Sequence, residues 1–289
     1  MSTNVKKGIG DLVQELAESY GKRMSDTEFA TTLSNSKLSV ERYRSYIIST
    51  YPLVVAFNRG MATSFAKIDP GIDHQLLKGL SKQLIEELAH NDLWRRKLTT
   101  FGVDYNRAYK TFKSEVDAIV VDEKNKRRSE LIEELRKEPD NVLPSLFPNL
   151  SFPEPVYGLY LQAEWTGSDS SVGYSTHFAC QLAIEIAVFE VVSESVLPGV
   201  RNSPELSPNS ESLAWWREHA RATEDDPSRG AAEQRHQQLA LEKLNDMNFD
   251  ENERASLLKI VEDTMILLVA TMKCHDSKYG FTSFEEFVG

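Results

Sequence analysis

Cysteine is scarce in this chain, which has only Cys180 and Cys274 among its 289 residues. Neither belongs to a Cys-x-x-Cys pair, so the spacing argues against a thiolate metal site and against a disulfide framework. Isolated cysteines, together with an N-terminus that lacks the apolar core of a signal peptide, indicate reduced thiols in a cytoplasmic protein. A metal ion, if one binds, must therefore use histidine and carboxylate ligands.

Long apolar runs and excess positive charge are also missing. No apolar stretch approaches the roughly 20 residues that a membrane-spanning helix needs. Lys plus Arg number 33 against 44 for Asp plus Glu, and the formal net charge is −11. This charge argues against non-specific binding to nucleic acid or to anionic membranes. We therefore expect a small-molecule substrate as the partner and leave the oligomeric state open, with a homodimer as one option.

Helical periodicity is present almost throughout the chain. Apolar residues recur at intervals of three and four, and no segment alternates as a half-buried strand would. With 40% hydrophobic residues the chain can build a sizeable core. The pattern predicts a single all-α domain over residues 1–289. The predicted helices cover residues 8–20, 25–34, 39–66, 74–101, 105–135, 175–196, 213–223, 231–245 and 251–273, with proline-containing loops over 143–155 and 198–208.

One segment, residues 84–94, sets a carboxylate and an imidazole into an apolar helical pattern. On an ideal helix Glu87 falls on the face of the apolar residues, and His90 flanks that face one turn later. Glu86 points roughly 120° away. A buried carboxylate is costly unless it is paired or bound to a metal. Glu87 is therefore an ion-pair partner of His90, a side chain that reaches water, or half of a metal site.

Two later polar residues also stand in apolar helical surroundings. Glu185 lies in a nearly all-apolar helix that should be central, where it is either a hydrogen-bonded core residue or a ligand. His219 falls on the same side of its helix as Trp215 and Trp216, which fits a core histidine stacked on tryptophan or a ligand. The remaining histidines are expected at the surface or at helix ends: His74, His177 and His275.

With Glu87-x-x-His90 followed by Leu93-Trp94, then Glu185 and Trp-Trp-x-x-His219, the chain resembles the heme-oxygenase-like diiron oxidases. That superfamily is a seven-helix bundle, which thiaminase II and pyrroloquinoline-quinone synthase also use. Its metal-binding members typically carry a Glu, a nearby His followed by Leu-Trp, a second Glu on a central helix, and then His-x-x-x-Asp-x-x-His. The resemblance covers residues 40–275 and implies a heme-oxygenase-like bundle of seven or more helices.

The last motif departs from the family pattern. Thr223 stands where the family has Asp, and Asp226 stands where it has the final His. Because threonine is a poor ligand, three alternatives stay open: the site binds its second metal weakly, it uses Asp226 or Glu224, or it recruits Glu233 and His236 across a helix break. The resemblance thus implies six metal ligands: Glu87, His90, Glu185, His219, Asp226 and His236. Relative to compact members, residues 124–176 look enlarged and are expected to form a lid or part of a substrate pocket.

The function that the resemblance implies is oxidation by non-heme iron. Mixed imidazole and carboxylate ligands with open positions suit Fe(II) and dioxygen. Two Fe(II) ions with O2 as co-substrate would make the protein a diiron oxidase or oxygenase of a small amine, amino acid or fatty-acid-like metabolite. Two alternatives stay open: a metal-free thiaminase-II-like enzyme, which needs a nucleophile such as Cys180, and a non-catalytic helical binding protein.

Overall fold

The computed structural model describes residues 7–69, 71, 74–143, 146, 150–222, 230–280 and 282–289, with the backbone alone at 75–76 and 231–233. No strand occurs among these residues; the nearest approach is an isolated bridge between Val103 and Val288. The helices are α1 (Ile9–Ser25), α2 (Glu28–Ser34), α3 (Val40–Ser64), α4 (His74–Thr100), α5 (Tyr105–Ala118), α6 (Val121–Lys137), α7 (Glu154–Ser168), α8 (Tyr174–Val191), α9 (Leu197–Arg201), α10 (Ser210–Glu218), α11 (Ala231–Asp246) and α12 (Glu251–Lys273). The prediction of an all-α fold is confirmed.

Side-chain caps fix where several helices begin. Ser39 accepts from the amide of Arg42 at the start of α3, and Asp250 forms a capping box with Glu253 at the start of α12. Such caps satisfy amide groups that have no partner inside the helix. Thr27 caps α2, which begins at Glu28 rather than at residue 25. Gly102 follows α4 with φ +72°, the left-handed conformation in which a helix commonly ends on glycine.

Helix α8 lies at the centre of the bundle, as its sequence predicts. It packs against α1, α3, α7, α11 and α12, and most of its side chains are buried. After Val191 the helix continues through one π-helical turn, Val192–Val196, into α9. A π turn shifts the register of the side chains that follow it and is frequent at functional sites. Val191 and Val192 line an apolar cavity inside the bundle, called the inner cavity below, so the turn lies at its wall.

Helix α7 is the main element that sequence analysis missed. Its first turn contains Pro155, and the prolines of residues 143–155 hid its start. Proline is tolerated in the first turn because its missing amide has no partner there. The region 124–176 therefore contains most of α6, the buried helix α7 and the first residues of α8.

The predicted helix 105–135 is two helices in the structure. Ile119 and Val120 have extended or irregular backbone between α5 and α6. Both flanking segments carry helical periodicity, so the sequence pattern alone gives no sign of the break. Among the described residues, no helix is long and apolar enough to cross a membrane.

Candidate metal centre

Helix α4 carries the first part of the candidate site on its inward face. Glu87, Asn91 and Trp94 are buried at spacings of three and four, and His90 is half-buried beside them. Glu86, on another side of the helix, keeps about a third of its side chain exposed, 34%. This is the orientation that the apolar periodicity of α4 predicts.

His219 comes from a different helix and meets this pair. It follows the last residue of α10, which packs against α4. The ligand atoms of Glu87, His90 and His219 all lie within 4.8 Å of one another. The two imidazole rings are 4.5 Å apart at 68°. Glu87 and His219 have 131 residues between them in the sequence. Their carboxylate and imidazole nevertheless converge on one point with the imidazole of His90.

The hydrogen bonding of His219 shows which of its two ring nitrogens carries the proton. Its Nδ1 lies 2.9 Å from the carbonyl oxygen of Trp215. Because a carbonyl only accepts, Nδ1 carries the proton and Nε2 keeps its lone pair. Burial, with a contribution from His90, lowers the pKa of His219 well below its usual range. The ring is therefore neutral at physiological pH, which is the form that binds a metal ion.

Glu87 presents one carboxylate oxygen to His90, and its other oxygen has no hydrogen-bond partner in the part of the chain that the structure describes. Its Oε2 lies 3.2 Å from His90 Nδ1. Its Oε1 is buried and has no hydrogen-bond partner among the described residues. A buried carboxylate oxygen without a donor is costly, and a cation between Glu87 and His219 would satisfy it. The donor set of one carboxylate and two imidazoles fits a divalent transition metal.

Glu185, on α8, lines the same inner cavity as Glu87 and His219. Its side chain is buried, and its Oε1 accepts a hydrogen bond of 2.8 Å from Gln83 Nε2. Glu87, Glu185 and His219 all line this cavity, although Glu185 is not one of the three residues whose ligand atoms cluster. Gln83 is one turn before Glu87 on α4, so the hydrogen bond links α4 to α8 beside the candidate site.

His236 lies on the other side of α4. Its Nε2 is 2.6 Å from Glu86 Oε2. A second cleft of about 440 Å³ opens here, lined by residues that include Glu86, His90, Glu218 and His236. His90 lines this outer cleft, whereas Glu87 and His219 line the inner cavity. The predicted ligand Asp226, with Thr223 and Glu224, lies outside the described residues, as does the side chain of Glu233.

The inner cavity encloses about 130 Å³ and is lined mainly by apolar side chains. An apolar cavity of about 150 Å³ in another protein binds benzene, so a group of roughly six carbon atoms fits. Its polar edge is formed by Glu87, Glu185 and His219. The aromatic part of its wall consists of Tyr46, Phe57, Trp94, Trp215 and Trp216. This arrangement can hold an apolar molecule against a metal ion and exclude water.

Lys97 is a buried residue near the site that sequence analysis missed. It follows Trp94 by three residues and is completely buried, 0% exposed. The signal was present in the sequence, because a position three residues after Trp94 shares the inward face of α4. Lysine is rarely fully buried, so the residue type by itself argues for an exposed position.

Comparison with known proteins supports the fold. No protein-family model and no curated protein sequence matches the chain. The solved structure of a TenA homolog from Pseudomonas syringae pv. tomato str. DC3000 superposes with a TM-score of 0.58 at 16% identity, covering 91% of this chain and 90% of that one. A TenA homologue protein from P. horikoshii OT3 gives 0.55 at 11% identity, with coverage of 93% and 98%. The chain therefore has the TenA-like, heme-oxygenase-like fold predicted from its motifs.

Proposed function

We propose that this protein is a non-heme iron oxidase or oxygenase that uses O2 on a small, largely apolar molecule. The observation that carries the proposal is the convergence of Glu87, His90 and His219 within 4.8 Å at the edge of an apolar cavity. The buried Oε1 of Glu87, which has no donor among the described residues, supports a cation at this point.

The residue types fit iron, and the resemblance to diiron oxidases favours it among the transition metals that such ligands bind. Mixed imidazole and carboxylate ligands with open positions are typical of non-heme Fe(II) sites, and the bound ion would supply the electrons that activate O2. Hard cations such as Mg²⁺ prefer all-oxygen ligands. For a second ion we keep the predicted ligands Glu185, Asp226 and His236. Glu185 contributes a carboxylate on the same cavity, and His236 lies beyond His90 in the outer cleft.

The chain's own residues would orient the metal and keep the cavity dry. The Trp215 carbonyl fixes the protonated Nδ1 of His219 and so directs Nε2 away from the helix. Trp215 and Trp216 line the cavity as well, where large aromatic surfaces exclude water from the polar edge. A substrate held there by apolar contact would lie beside the metal without needing a charged group.

A metal-free, thiaminase-like enzyme is the second candidate, and the TenA-like fold favours it. Its expected nucleophile, Cys180, is poorly suited to the task. Burial raises the pKa of the Cys180 thiol to about 12, and Thr264 Oγ1 donates to its sulfur. Cys180 is also not among the described residues that line the cavity. A thiol that stays protonated is a weak nucleophile, so the metal enzyme is the better supported function.

Anaerobic titration of chelator-treated protein with Fe(II) tests the proposal. The wild type should bind iron, and Glu87→Gln and His219→Gln should each weaken binding by roughly 10- to 100-fold or more. Glu86→Gln is the matched control, because it removes the neighbouring carboxylate on a different side of the same helix. Equal binding by Glu87→Gln and Glu86→Gln would contradict the assignment. Full turnover in thoroughly chelated protein would favour the thiaminase-like alternative.

The second ion has its own test. The departure at Thr223 leads us to expect one tight Fe(II) and one weak Fe(II) in calorimetric titration without substrate. Two equally tight sites would contradict this expectation. Unchanged binding in both Asp226→Ala and His236→Ala would show that neither residue completes the second position.

A further inference from the structure

Lys97 is the most unusual ionisable residue of the described chain. Its side chain has no exposed surface, and its Nζ has no hydrogen-bond acceptor among the described residues. Lysine is almost never fully buried unless its ammonium is paired. Burial lowers the pKa of Lys97 well below its usual range. The position therefore costs stability, whereas an uncharged side chain of similar length would not.

Three tryptophans surround this amine. Nζ lies 3.3 Å from the ring centroid of Trp216, 3.9 Å from Trp94 and 5.0 Å from Trp215. The three indoles also contact one another nearly edge to face, with centroid separations of 4.6, 5.1 and 4.9 Å. Because the faces of indole rings carry negative charge density, they are favourable surroundings for the N–H groups of the amine. The amine of Lys97 thus packs against all three indoles of this cluster.

Trp215 connects this cluster to the candidate metal centre in two ways. Its indole stacks on the His219 ring at 3.7 Å and 13°. Its carbonyl oxygen accepts the proton of His219 Nδ1. His219 itself follows the last helical residue of α10, so helix geometry alone does not fix its ring. Trp215 therefore contacts both the ring face and the protonated nitrogen of His219.

We propose that Lys97 is a positioning residue for His219, acting through Trp215 and Trp216. The proposal rests on the proposed function of His219 as a metal ligand. The amine attracts the faces of Trp216 and Trp94. Both of these indoles pack perpendicular to Trp215 and so fix the position of its ring. Trp215 in turn holds the His219 ring in one plane, with Nε2 as the unprotonated nitrogen. Partners that orient a histidine ligand commonly set its affinity for metal.

Lys97→Met tests the proposal, because methionine keeps the length of the side chain and removes the amine. We expect an equal or higher melting temperature. In metal-free protein, ¹⁵N NMR of the imidazoles should show His219 as a single Nδ1–H tautomer in the wild type and as a mixture in the variant. The Kd for Co(II), used as the probe, should rise roughly tenfold. Loss of packing alone would lower the melting temperature and leave the tautomer unchanged.

Lys278→Met is the matched control. Lys278 also lies over an aromatic ring, 4.8 Å from the centroid of Tyr279, but at the surface. It should change neither the His219 tautomer nor the Co(II) affinity. If Lys97→Met does not fold, Lys97→Gln makes the same test with a neutral polar side chain.

The outcomes separate this proposal from the proposed function. A wild type that binds no Co(II) or Fe(II) removes the metal role of His219, while the tautomer measurement still decides whether Lys97 positions the ring. An unchanged tautomer and an unchanged Co(II) Kd in Lys97→Met would overturn the positioning role. Iron binding by the wild type in the same experiment would leave the proposed function standing.

Discussion

Individual buried histidines in this protein take different roles according to what lies beside them. His177 Nδ1 is 2.8 Å from the hydroxyl of Thr166, and His275 Nε2 is 2.9 Å from that of Ser49. Both side chains are buried, so the prediction that they lie at the surface was wrong. A hydroxyl can donate to or accept from a neutral ring. His219 instead has a carbonyl on one nitrogen and the candidate metal centre on the other.

The two thiols give a prediction at the residue scale. Burial raises the pKa of Cys180 to about 12 and that of Cys274 well above its usual range. Because the thiolate is the reactive form, neither should react with an aromatic disulfide reagent in the folded protein at pH 8. Both should react at once in denaturant. Rapid modification of one native thiol, followed by loss of turnover, would contradict this and revive Cys180 as a nucleophile.

Close helix contacts depend on a few small residues. Helices α3 and α7 approach each other at Gly60 and Gly167, where a Cβ on Gly167 would lie 2.9 Å from the Cα and oxygen of Gly60. A Cβ on Gly60 would in turn lie 2.7 Å from His177 Cε1. Neither glycine needs a positive φ. Their role is to allow close approach, which brings α7 and α8 onto α3 around the cavity.

A pair of Gly→Ala variants tests this at the element scale. Gly167→Ala should lower the free energy of unfolding by about 1–3 kcal/mol, because the new methyl group would meet the backbone of Gly60 at 2.9 Å as well as the Thr63 hydroxyl at 2.8 Å. Gly79→Ala is the control within α4, since a Cβ there meets nothing within 4 Å. It should raise the free energy by up to about 1 kcal/mol through helix propensity. Urea unfolding of both variants measures the difference, and equal effects would refute the close-contact explanation.

The cavity is a property of the whole molecule. Side chains from α1, α3, α4, α7, α8, α10 and α12 line it, including Met24, Leu159 and Leu268. No pair of helices encloses it. Such a cavity exists only when the bundle is folded, and its polar edge is formed by residues far apart in sequence.

Acid should destabilise the whole fold through its buried histidines. Burial lowers the pKa of His177 and of His275 to about 3, against about 6.5 in an unfolded chain. Between these values the unfolded chain binds protons that the folded protein does not, so stability falls as pH falls. Each histidine should remove about 2 kcal/mol of unfolding free energy between pH 7.5 and pH 5.

Variants assign this loss to particular residues. His177→Gln should reduce the difference in unfolding free energy between pH 7.5 and pH 5 by about 2 kcal/mol. His74 is exposed, and His74→Gln should leave the difference unchanged. Urea unfolding at the two pH values is the measurement. If His177→Gln and His74→Gln behave alike, the acid sensitivity comes from other groups.

The sequence by itself determined the all-α class, the central position of α8 and the inward orientation of Glu87. These follow from helical periodicity, which depends on neighbours three and four residues apart. The same periodicity missed α7, whose buried sides leave no contrast between faces. It also placed His177 at the surface. A helix that is buried on all sides has no polar face, so its periodicity does not show whether a single histidine is buried or exposed.

Only the tertiary structure decided which distant side chains meet. It placed His219 against Glu87 and His90, and it placed His236 against Glu86 instead. It also showed Lys97 among three tryptophans, two of which lie more than a hundred residues away in sequence. Local periodicity fixes the face on which a residue lies but not the helix that packs on that face. Packing between helices is decided by the shape of the whole core.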